Sequence, residues 1–242
     1  MKILNLGCGT KVSPNPSVIN IDWSVLVRMK KNRVLRVAAP LFVRGERLTR
    51  FNSLSDNIMV HNLSRPLPFA SNSVDVAYHS HLLEHIDRDA ARIFLLEVKR
   101  VLKPDGIQRI VVPDLEEACR AYISHISTCE KDGGEARNHD SYVAAMIGQC
   151  VIREAFGTSQ QKPLRRLLEN ACLGDARRRG ETHLWMYDRV NLVELLVSLE
   201  YRNPHHQDYN LSLIPDWKQY GLDLDERGNE YKPESLYIEA QK

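Results

Sequence analysis

A Gly-x-Gly turn set directly behind a short apolar run, in LNLGCGT from Leu4 to Thr10, constrains this chain more than any other feature. Lys2–Leu6 reads as a short buried strand. Glycines just past a strand end let the backbone approach a ligand more closely than a Cβ would allow. The dinucleotide fingerprint G-x-G-x-x-G is not completed, because its third glycine falls on Val12. Either glycine alone would be read as an ordinary tight turn. Together they point to a small-molecule site, and the rest of the chain has to say which.

At 242 residues the chain fits one domain, or one domain with a sizeable insertion. A net charge of +2 gives no general argument for a nucleic-acid partner, although basic clusters occur locally. The five cysteines (Cys8, Cys119, Cys129, Cys150, Cys172) are scattered without a C-x-x-C pair, which fits reduced thiols better than a disulfide or zinc framework. There is no signal-peptide pattern, and no apolar run approaches the roughly 20 residues of a membrane span. The default expectation is a cytoplasmic protein.

Val18–Ile21 reads as a second strand ending in Asp22, after a connection too short and proline-rich for a crossover helix. Val74–Tyr78 is a strand behind the turn-forming PLPFASNS, His85–Leu102 has helical spacing stopped by KPDG, and Ile107–Val112 is a further strand. Strand, helix, strand in this order is the rhythm of an α/β doubly wound sheet. From Leu115 to Thr182 helical patterns dominate (Leu115–Ile126, Tyr142–Phe156, Pro163–Cys172), and this segment reads as an inserted helical subdomain. Asp188–Leu199 is a capped helix. The end of the chain from Asn210 reads as two strands joined by a turn-rich segment, the last at Leu236–Ala240.

Three features fall where open α/β sheets bind ligands, outside the carboxyl ends of the strands. Gly7-Cys8-Gly9 follows the first strand, Asp22 ends the second where a carboxylate can accept both ribose hydroxyls, and His79-Ser80-His81 ends a later one. A nucleoside-type cofactor fits all three. LNLGCGT, INIDWS, PLPFASNSVDVAYHSHLLEHI and EVKRVLKPDGIQRIVVPDLE together resemble the successive motifs of class I S-adenosylmethionine-dependent methyltransferases. The tail, from THLWMYDRVNLVELL to GNEYKPESLYIEAQK, is similar to predicted methyltransferases that accompany glycosyltransferases in bacterial surface-polysaccharide pathways.

The resemblance implies an α/β fold, a Rossmann-like seven-stranded methyltransferase sheet with a helical insertion after strand five, and S-adenosylmethionine as methyl donor. It divides the chain into a donor-binding core at 1–114 with a basic insertion at 24–50, a helical acceptor-side insertion at 115–182, and a segment at 183–242 that completes the core. Gly7, Cys8 and Gly9 would approach the methionine end. Asp22 takes the ribose, Trp23 and Leu63 flank the adenine, Asn62 bonds it, and His79 stands nearby. Departures from the family pattern are Asn5 for its acidic residue, Lys11 for its third glycine, Asn62-Leu63 for Asp-Leu, and Asp105 in KPDG.

A methyl on sulfonium is already activated, so the protein has to align the acceptor and take a proton if the nucleophile is a hydroxyl. His81, Asp114 and His183 are the candidate catalytic residues, with His85 beside them; each histidine could instead be structural, and Asp114 could cap the next helix. Where base-methylating enzymes carry an Asn/Asp-Pro-Pro-aromatic box, this chain has HSHL, which argues against nucleic-acid methylation. His81-Leu82-Leu83-Glu84-His85 spells the inverted zinc-peptidase motif H-x-x-E-H, but in a strand-to-helix context such peptidases lack; no metal is assigned. Arg178 in the ARRRG run, Trp185 and Tyr187 are candidates for holding the acceptor, with a solvated helix end and core packing as the plain alternatives. The basic stretch 28–50 reads either as a helix packed on the sheet or as a surface that meets an anionic membrane. The reading is thus an O-methyltransferase for a sugar or glycan intermediate. Its rivals are a catalytically degenerate nucleoside-binding protein and a zinc hydrolase.

Overall fold

In the computed structural model, which describes residues 1–132, 134–150 and 182–242, seven strands form one sheet. They are β1 (Ile3–Leu6), β2 (Val18–Asp22), β3 (Met59–Val60), β4 (Val74–Ser80), β5 (Leu102–Pro113), β6 (Arg202–Gln207) and β7 (Ser235–Gln241), in the spatial order β3-β2-β1-β4-β5-β7-β6. β1 to β5 run parallel, and β7 is inserted antiparallel between β5 and β6. This is the expected Rossmann-like α/β sheet. Its chain order reverses at β1 and β4, which places a ligand crevice at their carboxyl ends.

Period-two alternation sends the strand side chains to two apolar layers. Leu4, Leu6, Ala77, Ile110, Val112, Leu236 and Ile238 face α4 (Arg88–Val101) and α7 (Arg189–Ser198), which contribute Phe94, Leu95, Val98, Leu192 and Leu196. Ile3, Val18, Val76, Tyr78, Val111 and Tyr237 face the other way, onto Ile214, Trp217, Tyr220 and Leu222. The second face is covered by irregular chain, because the β1–β2 connection has no helix, as its prolines predict. The strand expected after Asn210 is not formed. The pairing strand lies upstream at β6, and residues 208–234 instead run across the bare face to reach β7.

Arg109 on β5 locks that cover. Its fully buried guanidinium bonds Asp223 Oδ2 and Glu239 Oε1, each at 2.7 Å, and the carbonyls of Leu211 and Asp208. Asp223 also accepts from Trp217 Nε1 and Tyr78 Oη. The two family departures on β1 and after it have local duties here. Asn5 Nδ2 donates to the Lys11 carbonyl and to Asn20 Oδ1, and Lys11 Nζ donates to the Leu224 carbonyl while lying over the Tyr231 ring.

Between β2 and β3 stand α1 (Val25–Lys31), α2 (Arg33–Phe42) and α3 (Glu46–Ser53), over a small core of Val27, Met29, Ala39, Val43, Phe51 and Leu54. The packed-helix reading of 28–50 holds for these residues, but Val34 and Val37 on α2 are 76% and 83% exposed. After β5, α5 (Leu115–Lys131) and α6 (His139–Cys150) pack together. The helix expected at Pro163–Cys172 and the candidate Arg178 lie outside the described residues. No described helix is long and apolar enough to cross a membrane.

Candidate active site

The part of the crevice expected to hold the donor is built by β1 and β2. Gly7 and Gly9 adopt φ +70° and +53°, and the Gly7 and Cys8 N–H groups both donate to the Ile21 carbonyl. A Cβ at Gly7 would stand 2.9 Å from Leu82 Cδ1, so the turn packs directly under the loop after β4. Asp22, at the end of β2, accepts from Gly9 N at 2.8 Å and from Ser24 N at 2.6 Å. Its buried carboxylate thus fixes the glycine turn and holds Ser24, the N-cap of α1, and each oxygen keeps a further lone pair for a hydroxyl. Cys8 is buried beside it, and burial with the Asp22 charge pushes its thiol pKa far up. Trp23 is exposed, with the Arg28 guanidinium 4.6 Å above its ring. Arg50 from α3 reaches over the turn, 3.7 Å from where a Gly9 Cβ would be.

Two of the expected donor contacts are placed differently. His79 is fully enclosed on the α4 side of β4, packed edge-on to Phe94 with Nε2 3.2 Å from the Gln108 amide nitrogen, so it is a core residue that no ligand reaches. Asn62 Oδ1 accepts from both the N–H and the hydroxyl of Ser64, a turn-closing use that already occupies the oxygen expected to meet adenine. Leu63 is half-buried against the core beside it.

The part expected to face the acceptor lies at the carboxyl end of β4. His81 sits in the left-handed region at φ +49°, and Leu83–His85 form a single 3-10 turn before α4 begins at Arg88. No helix therefore carries His81 and His85 together, and the peptidase geometry of H-x-x-E-H is absent. Glu84 is wholly buried, its backbone carbonyl stapling the returning chain through the N–H groups of Leu184 and Trp185. That staple brings His183 against His85, ring centres 4.8 Å apart. His81 Nδ1 and His85 Nε2 approach Glu84 Oε1 to 3.5 and 3.7 Å, yet neither carboxylate oxygen is hydrogen-bonded. Burial raises the Glu84 pKa to about 8 and lowers that of His81, whose Nε2 meets Ser235 Oγ at 2.9 Å, to about 3.

The remaining candidates divide. Trp185 is exposed at the rim with the Arg88 guanidinium 4.2 Å from its ring centre. Tyr187 is buried, bridged through its backbone to Asp114, and its hydroxyl has no partner; it belongs to the core and not to an open acceptor face. Asp114 caps α5, accepting from Glu116 N at 2.9 Å. Burial raises its pKa, but the carboxylate already has this local duty. Arg50, Ser235 and the isolation of Glu84 were not legible in the sequence, because each depends on a contact between distant segments.

Residues 38–110, which hold β3, β4, α4 and most of β5, match the family described as Methyltransferase domain. That match spans less than a third of the chain. No curated protein matches the chain. Among solved structures it is similar to SAM-dependent methyltransferases from Methanosarcina mazei (17% identity, 100% of this chain and 92% of that chain, TM-score 0.46) and Archaeoglobus fulgidus (12%, 100% and 86%, 0.43). An S-adenosylmethionine-dependent methyltransferase from Mesorhizobium loti is similar at 14% identity over 100% and 90% of the chains, with a TM-score of 0.43.

Proposed function

We propose that the enzyme is an O-methyltransferase acting on a hydroxyl of a sugar or glycan intermediate in surface-polysaccharide biosynthesis. The observation that carries the acceptor class is the imidazole cluster around Glu84, bordered by the exposed Trp185 ring. A sugar offers an aromatic ring its C–H face and offers imidazoles its hydroxyls. On the donor side Gly7, Cys8 and Gly9 receive the methionine end, Asp22 the ribose, and Trp23 and Leu63 the adenine. His183 faces the acceptor from the open side, whereas His81, held neutral by burial, orients Glu84. Asn5 and Lys11 favour a degenerate binding protein less once their structural duties are counted.

Turnover on glycan acceptors tests this. His183→Ala should cut it by about 10² or more, because it removes an imidazole that faces the acceptor hydroxyl, while affinity for S-adenosylhomocysteine stays near wild type. Asp114→Ala should instead lower stability by about 1 kcal/mol through its lost cap. Wild-type turnover in His183→Ala, or an acceptor methylated at nitrogen, overturns the reading.

A peripheral membrane contact belongs to the same proposal. Val34 and Val37 project from α2, each following an arginine (Arg33 and Arg36), an apolar ridge beside cations that fits an anionic lipid surface. Sedimentation with anionic but not zwitterionic vesicles is the expected result, lost in Val34→Asp/Val37→Asp. Equal recovery with both vesicles overturns it.

A further inference from the structure

We infer that Glu84, His85 and His183 form a binding site for one divalent transition-metal ion, zinc foremost, with open coordination positions toward the methyl acceptor. One ligand atom from each residue lies within 4.8 Å of the others. Donor atoms held tetrahedrally at about 2.0–2.2 Å from a shared ion stand roughly 3.3–3.6 Å apart, so side-chain rotation has to close the widest separation by about 1 Å. Glu84 Oε1 and His85 Nε2, at 3.7 Å, are already close to that spacing.

The second observation is the carboxylate itself. Glu84 is fully enclosed, and neither oxygen has a hydrogen bond. A buried carboxyl group that makes no hydrogen bond is costly, and most costly when it is ionised. A shared proton does not relieve that cost across 3.7 Å, beyond hydrogen-bond reach. A cation between the two groups does. The orientation of His85 agrees: its Nδ1 lies 3.0 Å from the Thr182 carbonyl, which only accepts, so Nδ1 donates there and Nε2 is the nitrogen turned toward Glu84. Imidazoles that bind metals are held in this way, by the outer N–H on a carbonyl.

Two imidazoles and one carboxylate select zinc or a neighbouring transition metal over magnesium or calcium, which prefer oxygen. Three protein ligands leave positions free, as in catalytic and not structural zinc sites. Glu84 closes the inner side, while His85 and His183 are partly exposed, so the free positions face outward. The role toward an acceptor oxygen rests on the O-methyltransferase reading; the ion site does not. This revises the expectation of a metal-free site, and it is not the peptidase arrangement, since His81 stays outside the ligand set as a positioning residue.

The test is metal binding to the whole chain, stripped with a chelator and carrying Cys129→Ser. That change silences a second group of ligand atoms at His125, Cys129 and His139. Zinc titrated against a chromophoric chelator should bind at one equivalent, and Glu84→Gln and His183→Ala should each weaken it by about 100-fold or more, beyond the loss typical of outer-sphere changes. Cobalt in its place should give d–d bands with no thiolate charge-transfer band. If Glu84→Gln fails to fold, the partly exposed His183→Ala and the cobalt spectrum decide. No saturable equivalent, or one that His183→Ala leaves unchanged, overturns the inference. Calorimetry with S-adenosylhomocysteine runs in parallel. Product bound without metal refutes the ion site alone, whereas no product bound refutes the donor assignment.

Discussion

At Gly7 two separate demands meet: a positive φ, and a neighbour 2.9 Å from where a side chain would begin. Gly9 has only the first, since its nearest atom would be an Arg50 nitrogen at 3.7 Å. A left-handed backbone costs an L-residue about 1–2 kcal/mol. Gly9→Ala should therefore lose about that much stability, and Gly7→Ala clearly more. Adding Leu82→Ala should make Gly7→Ala less costly in a double-mutant cycle but should not change Gly9→Ala. Denaturant melts of the variants check it, and equal costs at both glycines refute it. The sequence announces both glycines, because a Gly-x-Gly turn behind a strand is local. Leu82 is silent there, since its contact is made across the sheet. His79 shows the same limit from the other side: its position at a strand end is legible, but which way it faces depends on the bulge between Val74 and Val76.

Among the elements, the missing β1–β2 helix has the widest consequence. Its absence could be read from the prolines, but not what takes its place, because residues 208–234 follow no periodic pattern. What fixes this cover is a cation. Arg109 is the charge that holds Asp223 and Glu239 in the buried layer. Coulomb attraction raises its pKa against the effect of burial, so it stays ionised. Truncating one partner of a buried pair leaves the others uncompensated, at a cost of about 3–5 kcal/mol. Arg109→Met should lose that much in urea unfolding, and Asp223→Asn added to it should recover part. A loss below about 1 kcal/mol in the single variant would mean that packing of Trp217 and Tyr220 alone holds the segment.

For the whole molecule, the sheet is finished by the last strand of the sequence. β7 enters between β5 and β6, so both apolar layers close only when Leu236, Tyr237 and Ile238 are in place. The closed layers explain a pH dependence of global stability. His79 lies between the sheet and α4, and burial lowers its pKa from 6.5 to about 3. Below pH 6.5 the unfolded chain takes up a proton there that the folded protein refuses until about pH 3. Stability is therefore complete above that window and falls as pH drops through it. For one such group the loss between pH 6.5 and 5 is about 2 kcal/mol, at 1.36 kcal/mol per pH unit once the unfolded side chain is fully protonated. His79→Gln, which keeps an amide in the same layer without a titrating ring, should remove that share of the slope. Relative to wild type, its unfolding free energy should rise by about 2 kcal/mol between pH 7 and pH 5. Parallel curves for the two proteins over this range would show that the folded state admits the proton, and that the layer around His79 is open to water.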